Sequence, residues 1–185
     1  MKVHDQFNAE AIAAVLCRPG AVAVLRTDTI YGVVARAADA VAVRRVYAVK
    51  NRSLNKALLL LIADLDALYD APPAAAARLI AESWPGPISI VIPSPSAPAW
   101  LPQVEETLAY RLPDHADLRA LLRLTGPLVA PSANPEGQPP AADVAEARAY
   151  FGDLVDLYVD GGRAENVRPS RLIRINLDGS QDIFR

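Results

Sequence analysis

The sequence predicts an α/β fold of the α+β type: a single domain over residues 1–185, with a twisted mixed parallel and antiparallel sheet flanked by helices. Three observations predict it. Aliphatic runs of strand length interleave with segments whose apolar residues recur at helical spacing. Several neighbouring strand candidates are joined by linkers too short for a helical crossover, so antiparallel pairs must accompany parallel ones. The chain has 185 residues and is 52% hydrophobic, enough for a proper core, while sixteen prolines cut it into short elements.

In chain order, Asn8 is an N-cap for a helix through Cys17, which Pro19-Gly20 ends. Cys17 lies in an apolar pattern with Ile12, Val15 and Leu16 and is read as a packing residue. Ala21 to Leu25 is an apolar strand that opens into Thr27-Asp28-Thr29. Asp39 caps a second helix, in which Val43, Val46, Tyr47 and Lys50 recur at i, i+3, i+4 and i+7. Leu58 to Ile62 is a continuous aliphatic run, expected as a strand buried on both faces. Pro73 to Glu82 follows as a helix, and Ile88 to Ile92 and Leu108 to Leu112 as strands. Leu118 to Leu124 is helical and stops at Gly126-Pro127, before a short strand from Leu128 to Ala130. Asp143 to Phe151 is the last helix, with strands near Leu157 to Val159, Leu172 to Ile175 and Asp182 to Phe184.

Composition excludes several classes of function. A net charge of −2 argues against a protein that coats DNA without sequence preference. One cysteine rules out an internal disulfide and fits a reducing compartment. The segment Met1-Lys2-Val3-His4-Asp5-Gln6 carries charge where a signal peptide needs an apolar run, and no stretch reaches the roughly 18 apolar residues of a membrane span. The expectation is a cytoplasmic protein. There is no G-x-x-x-x-G-K-[ST] and no G-x-G-x-x-G loop, and the two histidines, His4 and His115, belong to no metal-ligand cluster. His115, after Pro113-Asp114, is expected to cap a helix or face solvent.

The polar chemistry gathers in three short segments that each follow core-like sequence: Thr27 to Gly32, Lys50-Asn51-Arg52 and Pro131-Ser132-Ala133-Asn134. Thr27, Thr29 and Tyr31 supply hydroxyls either to their own turn or to a small polar ligand. Residues Arg36 to Lys56 hold six basic side chains against one acid, a local charge of +5, in which Arg44 and Arg45 read as a solvated helix face. Lys50 differs. It lies about 20° from Val43 around the helix, so its ammonium extends the buried stripe and must snorkel or meet an anion. Arg52 adds a planar fork just beyond the helix end, and the two could grip a polyphosphate. Ser132 and Asn134, two apart on extended backbone, turn to one side. Trp84-Pro85-Gly86-Pro87 reads as a rigid turn with a packed indole. Arg111 is a charge in an otherwise apolar strand, which a half-exposed strand or a carboxylate site would explain.

In this order and spacing the motifs resemble the YrdC family of threonylcarbamoyl-adenylate synthases, from about Ala21 to Arg174. The matching features are T-D-T-x-Y-G, K-x-R with Lys56 after it, Trp84 to Pro87, Arg111 to His115, S-A-N with Gly137, Gly161-Gly162 and Pro169-Ser170. The resemblance implies a YrdC-like fold and a nucleotidyltransferase that joins L-threonine, bicarbonate and ATP into threonylcarbamoyl-AMP and pyrophosphate. It implies Lys50 and Arg52 as catalytic phosphate contacts, with Ser132 and Asn134 also on ATP. Thr27, Thr29, Tyr31, Arg111 and Ser170 become candidates for threonine and carbamate. It further implies Mg2+ carried in with ATP, no organic cofactor, and a partner threonylcarbamoyl transferase complex that modifies tRNA beside the anticodon, with a possible tRNA contact.

Several positions depart from the family pattern: Arg26 where proline precedes T-D-T, Ala57 in the usual K-P-L, Ile88-Ser89 in the usual L-T, Glu136 in place of serine, and Ser170-Arg171 for a Ser-Thr pair. Strand alternation puts Arg171 with Ile173 and Ile175, and Ser170 opposite. Two alternatives stand beside the synthase: a YrdC-like RNA-binding protein without synthase activity, and a carbamoyl-adenylate-forming relative that uses carbamoyl phosphate.

Overall fold

Asn8 and Asp39 cap the first two helices through the interactions their side chains favour. The Asn8 side chain accepts from Ala11 N, and Asp39 accepts from Val41 N and Ala42 N. The computed structural model describes residues 2–4, 6–54, 56–165, 168–175 and 180–184. Met1, Asp5 and the side chain of His4 lie outside the described residues. The elements are β1 (Lys2–His4), α1 (Ala9–Leu16), β2 (Ala23–Arg26), β3 (Tyr31–Arg36), α2 (Ala40–Val49), β4 (Leu59–Leu61) and α3 (Ala74–Ser83). They continue as β5 (Ile88–Pro93), β6 (Thr107–Arg111), α4 (Ala116–Thr125), β7 (Leu128–Val129), α5 (Val144–Phe151), β8 (Leu157–Val159), β9 (Arg171–Ile175) and β10 (Gln181–Ile183).

Among the described residues the strands form one sheet, ordered β1-β8-β2-β3-β7-β4-β6-β5-β9-β10. The sheet is mixed, as the short linkers require: β2–β3, β5–β6 and β9–β10 are antiparallel, and β4–β6 and β5–β9 are parallel. Both faces are packed. Helices α2, α3 and α5 cover a large cluster that includes Val24, Val33, Leu60, Ile90, Tyr110 and Phe151. On the opposite face α1 and α4 meet Leu25, Val34, Leu61, Leu128 and Leu157. Strand β4 feeds both clusters, Leu60 to one and Leu61 to the other, which is why its sequence is aliphatic without alternation.

Four sequence expectations need correction. Tyr31 and Gly32 belong to a strand rather than a loop. β3 runs directly out of the Thr27–Ile30 turn, because Tyr31 to Ala35 are all buried and pair with β2. Glycine suits this position, since a Cβ would stand 3.3 Å from the Pro131 carbonyl oxygen, a tighter approach than most side chains make. The second correction is β1, whose three residues pair in parallel with β8 and are too few to register as a periodic run. Third, Cys17 is exposed and forms the C-cap of α1. It lies about 140° around the helix from Ile12, which turns it from the core. Fourth, Arg45 is half-buried and tied by hydrogen bonds rather than simply solvated. It donates to Asp156 Oδ2 at 2.6 Å and Leu154 O at 2.8 Å, more than 100 residues away, and to Gly20 O at 3.0 Å in the turn before β2. Arg44 is exposed, as expected. His115 does cap α4, its Nδ1 accepting from Leu118 N at 3.2 Å.

Asp39 also accepts from Gly20 N at 2.6 Å, so one carboxylate caps α2 and holds the turn before β2. Asp39→Ala should therefore lower unfolding free energy by about 1–2 kcal/mol, measured by urea denaturation at neutral pH.

Candidate active site

Helices α1 and α4 leave part of their sheet face uncovered, and the uncovered part is the floor of a cavity of about 430 Å³. Leu59 on β4, Ala109 on β6 and Val91 on β5 are paired neighbours in that floor. The volume suits a nucleotide or a comparable small molecule. Seven residues named from the sequence line it together: Thr27, Thr29, Tyr31, Arg52, Arg111, Ser132 and Ser170. Lys50 and Asn134 stand behind its wall. The charged side chains in the lining are Arg52, Arg111 and Arg174, with no carboxylate among the described lining residues. Arg111 and Arg174 are ion-paired to Asp28 and Glu105 outside the lining, so among the described residues Arg52 is the lining cation without a carboxylate partner and the one placed to meet an anion.

The Thr27–Ile30 turn serves two purposes. Thr27 Oγ1 donates to Ile30 O at 2.8 Å and accepts from Thr29 N at 3.2 Å, closing the hairpin between β2 and β3. The same hydroxyls lie within 3.1 Å of each other on the cavity wall. Arg111 reaches this turn from the end of β6. Its Nη2 donates to Asp28 Oδ1 at 2.9 Å, and both side chains are at most 4% exposed. The half-exposed explanation for Arg111 is therefore excluded. Asp28 is the site residue that sequence reasoning left out. A buried guanidinium requires a buried anion, and the acid inside T-D-T was the available signal. Ser170 Oγ lies 2.8 Å from Ser89 Oγ, so Ser89 holds a hydroxyl in place of the usual threonine.

Lys50 is buried, 2% exposed, at the C-cap of α2. Its Nζ donates to the carbonyl oxygens of Ser132 and Asn134 and lies 3.4 Å from Asn134 Oδ1. The acceptors that burial demanded are thus protein carbonyls, and the ammonium fixes the loop that carries Ser132. Ser132 Oγ donates to Asn134 Oδ1 at 2.6 Å, so the pair does face one side. Burial lowers the Lys50 pKa to about 8, with repulsion from Arg52 adding to the effect and Glu136 opposing it. Glu136 pairs with Lys56 and accepts from Ser53 N at 3.3 Å, drawing the loop after Lys50 against the loop after Asn134. The Lys56 hydrogen bond and then the Ser53 N–H hold its carboxyl below the usual range.

The remaining wall is the Gly161-Gly162 segment. Tyr31 OH donates to Gly162 O at 2.8 Å and accepts from Gly161 N at 2.9 Å, so its hydroxyl is already engaged. Arg26, at the usual proline, lies so close that a Cβ on Gly161 would meet its own Cβ at 2.7 Å. Its Nη1 donates to Gly161 O at 2.9 Å. Arg171 is exposed and absent from the cavity lining, whereas Ser170, Leu172 and Arg174 face it. That alternation, legible in the sequence, is the signal that could have found Arg174. Trp84 packs against the core and donates from Nε1 to Ile88 O at 2.6 Å, as its turn motif suggested.

A lysine with a folded pKa near 8 and an unfolded one near 10.5 makes folding release a proton between those values. Its contribution therefore rises as pH increases through that window. The difference in unfolding free energy between the wild type and Lys50→Met should shift in the wild type's favour from pH 8 to pH 9.5, as read from urea midpoints. A constant difference over that range would contradict the depressed pKa.

Comparison with known proteins shows the family and the fold. The family model Sua5_yciO_yrdC, described as "Telomere recombination", matches residues 15–185. The chain is 37% identical over 161 residues to the threonylcarbamoyl-AMP synthase of Pseudomonas fluorescens (strain Pf0-1), covering 85% of this chain and 86% of that one. It is 39% identical over 163 residues to the protein of that name from Halorhodospira halophila (strain DSM 244 / SL1), covering 85% of each. Among solved structures, P. abyssi Sua5 complexed with L-threonine superposes with a TM-score of 0.89 at 26% identity. All of this chain is covered in that match, and it spans 57% of the P. abyssi chain's length. E. coli YciO shares the fold, with a TM-score of 0.85 at 22% identity over 99% of this chain and 93% of its own. With its motif residues gathered on one cavity and a family model matched over all but the first 14 residues, the chain belongs to the Sua5/YciO/YrdC family.

Proposed function

We propose that this chain is an L-threonylcarbamoyladenylate synthase. The observation that carries the reading is the convergence of the three polar segments on one cavity whose charged lining is arginine alone. Bicarbonate supplies CO2, the amine of L-threonine adds to its carbon to give a carbamate, and the amine proton leaves as water with the hydroxide released from bicarbonate. A carbamate oxygen then attacks the α-phosphorus of ATP, the bond from that phosphorus to the bridging oxygen breaks, and pyrophosphate leaves. Such a displacement needs positioning and charge neutralisation more than a strong base.

Arg111 is suited to the threonine carboxylate, with Asp28 keeping the guanidinium in place and Thr29 and Ser170 offering hydroxyls beside it. Arg52 and Ser132 are suited to the phosphates. Lys50 acts from behind, holding the Ser132 loop and adding its charge. Magnesium would enter with ATP, its ligands being phosphate oxygens and water, because the described lining residues supply no carboxylate. The product would pass to a threonylcarbamoyl transferase complex acting on tRNA in the cytoplasm. Among the described residues no helix is long and apolar enough to cross a membrane.

The test is pyrophosphate release by the purified chain. It should require ATP, threonine and bicarbonate together, fall to background in Lys50→Ala, and show at least a tenfold higher threonine KM in Arg111→Ala, about the loss expected for one charge-assisted hydrogen bond. Release indifferent to threonine would refute the reading. Release supported by carbamoyl phosphate instead would favour the carbamoyl-adenylate relative, and salt-sensitive RNA binding without turnover the RNA-binding one.

A further inference from the structure

The two loops that meet at Lys50 and Arg52 carry one carboxylate. Residues 50–57 and 131–138 together hold three cations, Lys50, Arg52 and Lys56, and a single acid, Glu136, which stands where the resemblance expects serine. Its place is fixed at both ends. Glu136 N donates to Lys50 O at 2.9 Å, and its Oε2 accepts from Ser53 N at 3.3 Å. Backbone and carboxylate are thus tied to the chain on either side of Arg52, while Oε1 pairs with Lys56. Arg52 lines both the main cavity and a second groove, and Glu136 lines that groove with it.

This places a negative charge beside the cation best placed to meet phosphate. Its field reaches the neighbouring cations. Burial lowers the Lys50 pKa and Glu136 opposes the change, while Arg52 adds to the Lys56 and Ser53 hydrogen bonds that hold the Glu136 carboxyl below its usual range. With Glu136 ionised the two loops carry a net charge of +2, and a neutral side chain there would leave +3. The gain holds whether Glu136 acts on Arg52 directly or by occupying Lys56. The pair with Lys56 is partly exposed and adds little to stability, so losing it alters charge more than structure. Repulsion from a fixed anion grows with the charge of the ligand, so it weighs on a polyphosphate and hardly on a zwitterionic amino acid.

We propose that Glu136 is an affinity-determining residue that weakens polyphosphate binding at Arg52 and Lys50 and so favours the departure of pyrophosphate once it has formed. This deepens the synthase reading and rests on it for the position of the phosphates at this wall.

Calorimetric titration of the whole chain with inorganic tripolyphosphate, pyrophosphate and L-threonine, without added magnesium, tests it. Glu136→Gln and Glu136→Ser should each bind tripolyphosphate and pyrophosphate about fivefold more tightly at an ionic strength of about 20 mM, and the gain should shrink below about twofold at about 0.5 M. Threonine affinity should change by less than about twofold. Lys56→Met should move polyphosphate affinity the opposite way, since it removes a cation. Weaker polyphosphate binding in the Glu136 variants and in Lys56→Met alike would overturn the proposal, by making the pair a latch that positions Arg52. Affinities in the Glu136 variants that are unchanged, or raised equally at both salt concentrations, would also overturn it. The synthase reading would survive either result if the wild type still releases pyrophosphate only with threonine. A wild type that binds neither tripolyphosphate nor ATP would refute both.

Discussion

The ion pair between Arg111 and Asp28 is the constraint on which the site depends. It joins the end of β6 to the turn between β2 and β3, segments 83 residues apart, and both partners are withdrawn from water. Removing one partner of such a pair typically costs about 3–5 kcal/mol, because the other is left as a buried charge. Neither side chain can leave without the other, so the guanidinium stays where a ligand can meet it. The hydroxyls of Thr27 and Thr29 are held by the same turn, and Thr27 Oγ1 lies 3.4 Å from Arg111 Nη2. One wall of the cavity is therefore a single hydrogen-bonded unit.

The opposite wall follows the same logic with a different cation. Lys50 sits under the Ser132–Asn134 loop and uses its carbonyls as acceptors, so a buried ammonium is satisfied by the loop it positions. Glu136 and Lys56 then close the gap between the two loops at the surface, where an ion pair contributes little energy but sets a direction. Arg26 and Tyr31 do the equivalent for the Gly161-Gly162 segment. The cavity has a floor of sheet strands and walls of short turns, the walls tied by polar side chains from elsewhere in the chain. The carboxylates engaged in this tying, at Asp28, Glu105 and Glu136, lie outside the lining, so the charged groups that face a ligand are guanidinium donors, two of them ion-paired from behind.

Helices α1, α2 and α5, the aliphatic β4 and the mixed sheet were all legible from capping residues, periodicity and linker length. β3 was not, because its first two residues look like the end of a polar turn and its glycine argues against a strand until the Pro131 carbonyl is seen above it. Cys17 was misread against the periodicity, which turns it from Ile12, whereas Arg45 was misread for a tertiary reason. Helical periodicity says which way a side chain points but not what another segment places there. The seven cavity-lining candidates were legible as residue types in ordered motifs. Their common wall was legible only through the resemblance.

The sequence by itself determined the family, the strand and helix inventory to within two strands, and the kinds of group available for chemistry. These depend on local spacing and residue type, which the chain carries along its length. Only the tertiary structure decided which groups are free to act. Tyr31 is engaged by Gly161 and Gly162, Lys50 by carbonyls, Arg111 by Asp28, and Arg171 turns outward. Alternation puts Arg174 on one face with Ser170 and Leu172, and strand register brings that face onto the cavity floor. Buried charge needs a partner, and partners here come from more than 60 residues away, so no local reading of the chain could have assigned them.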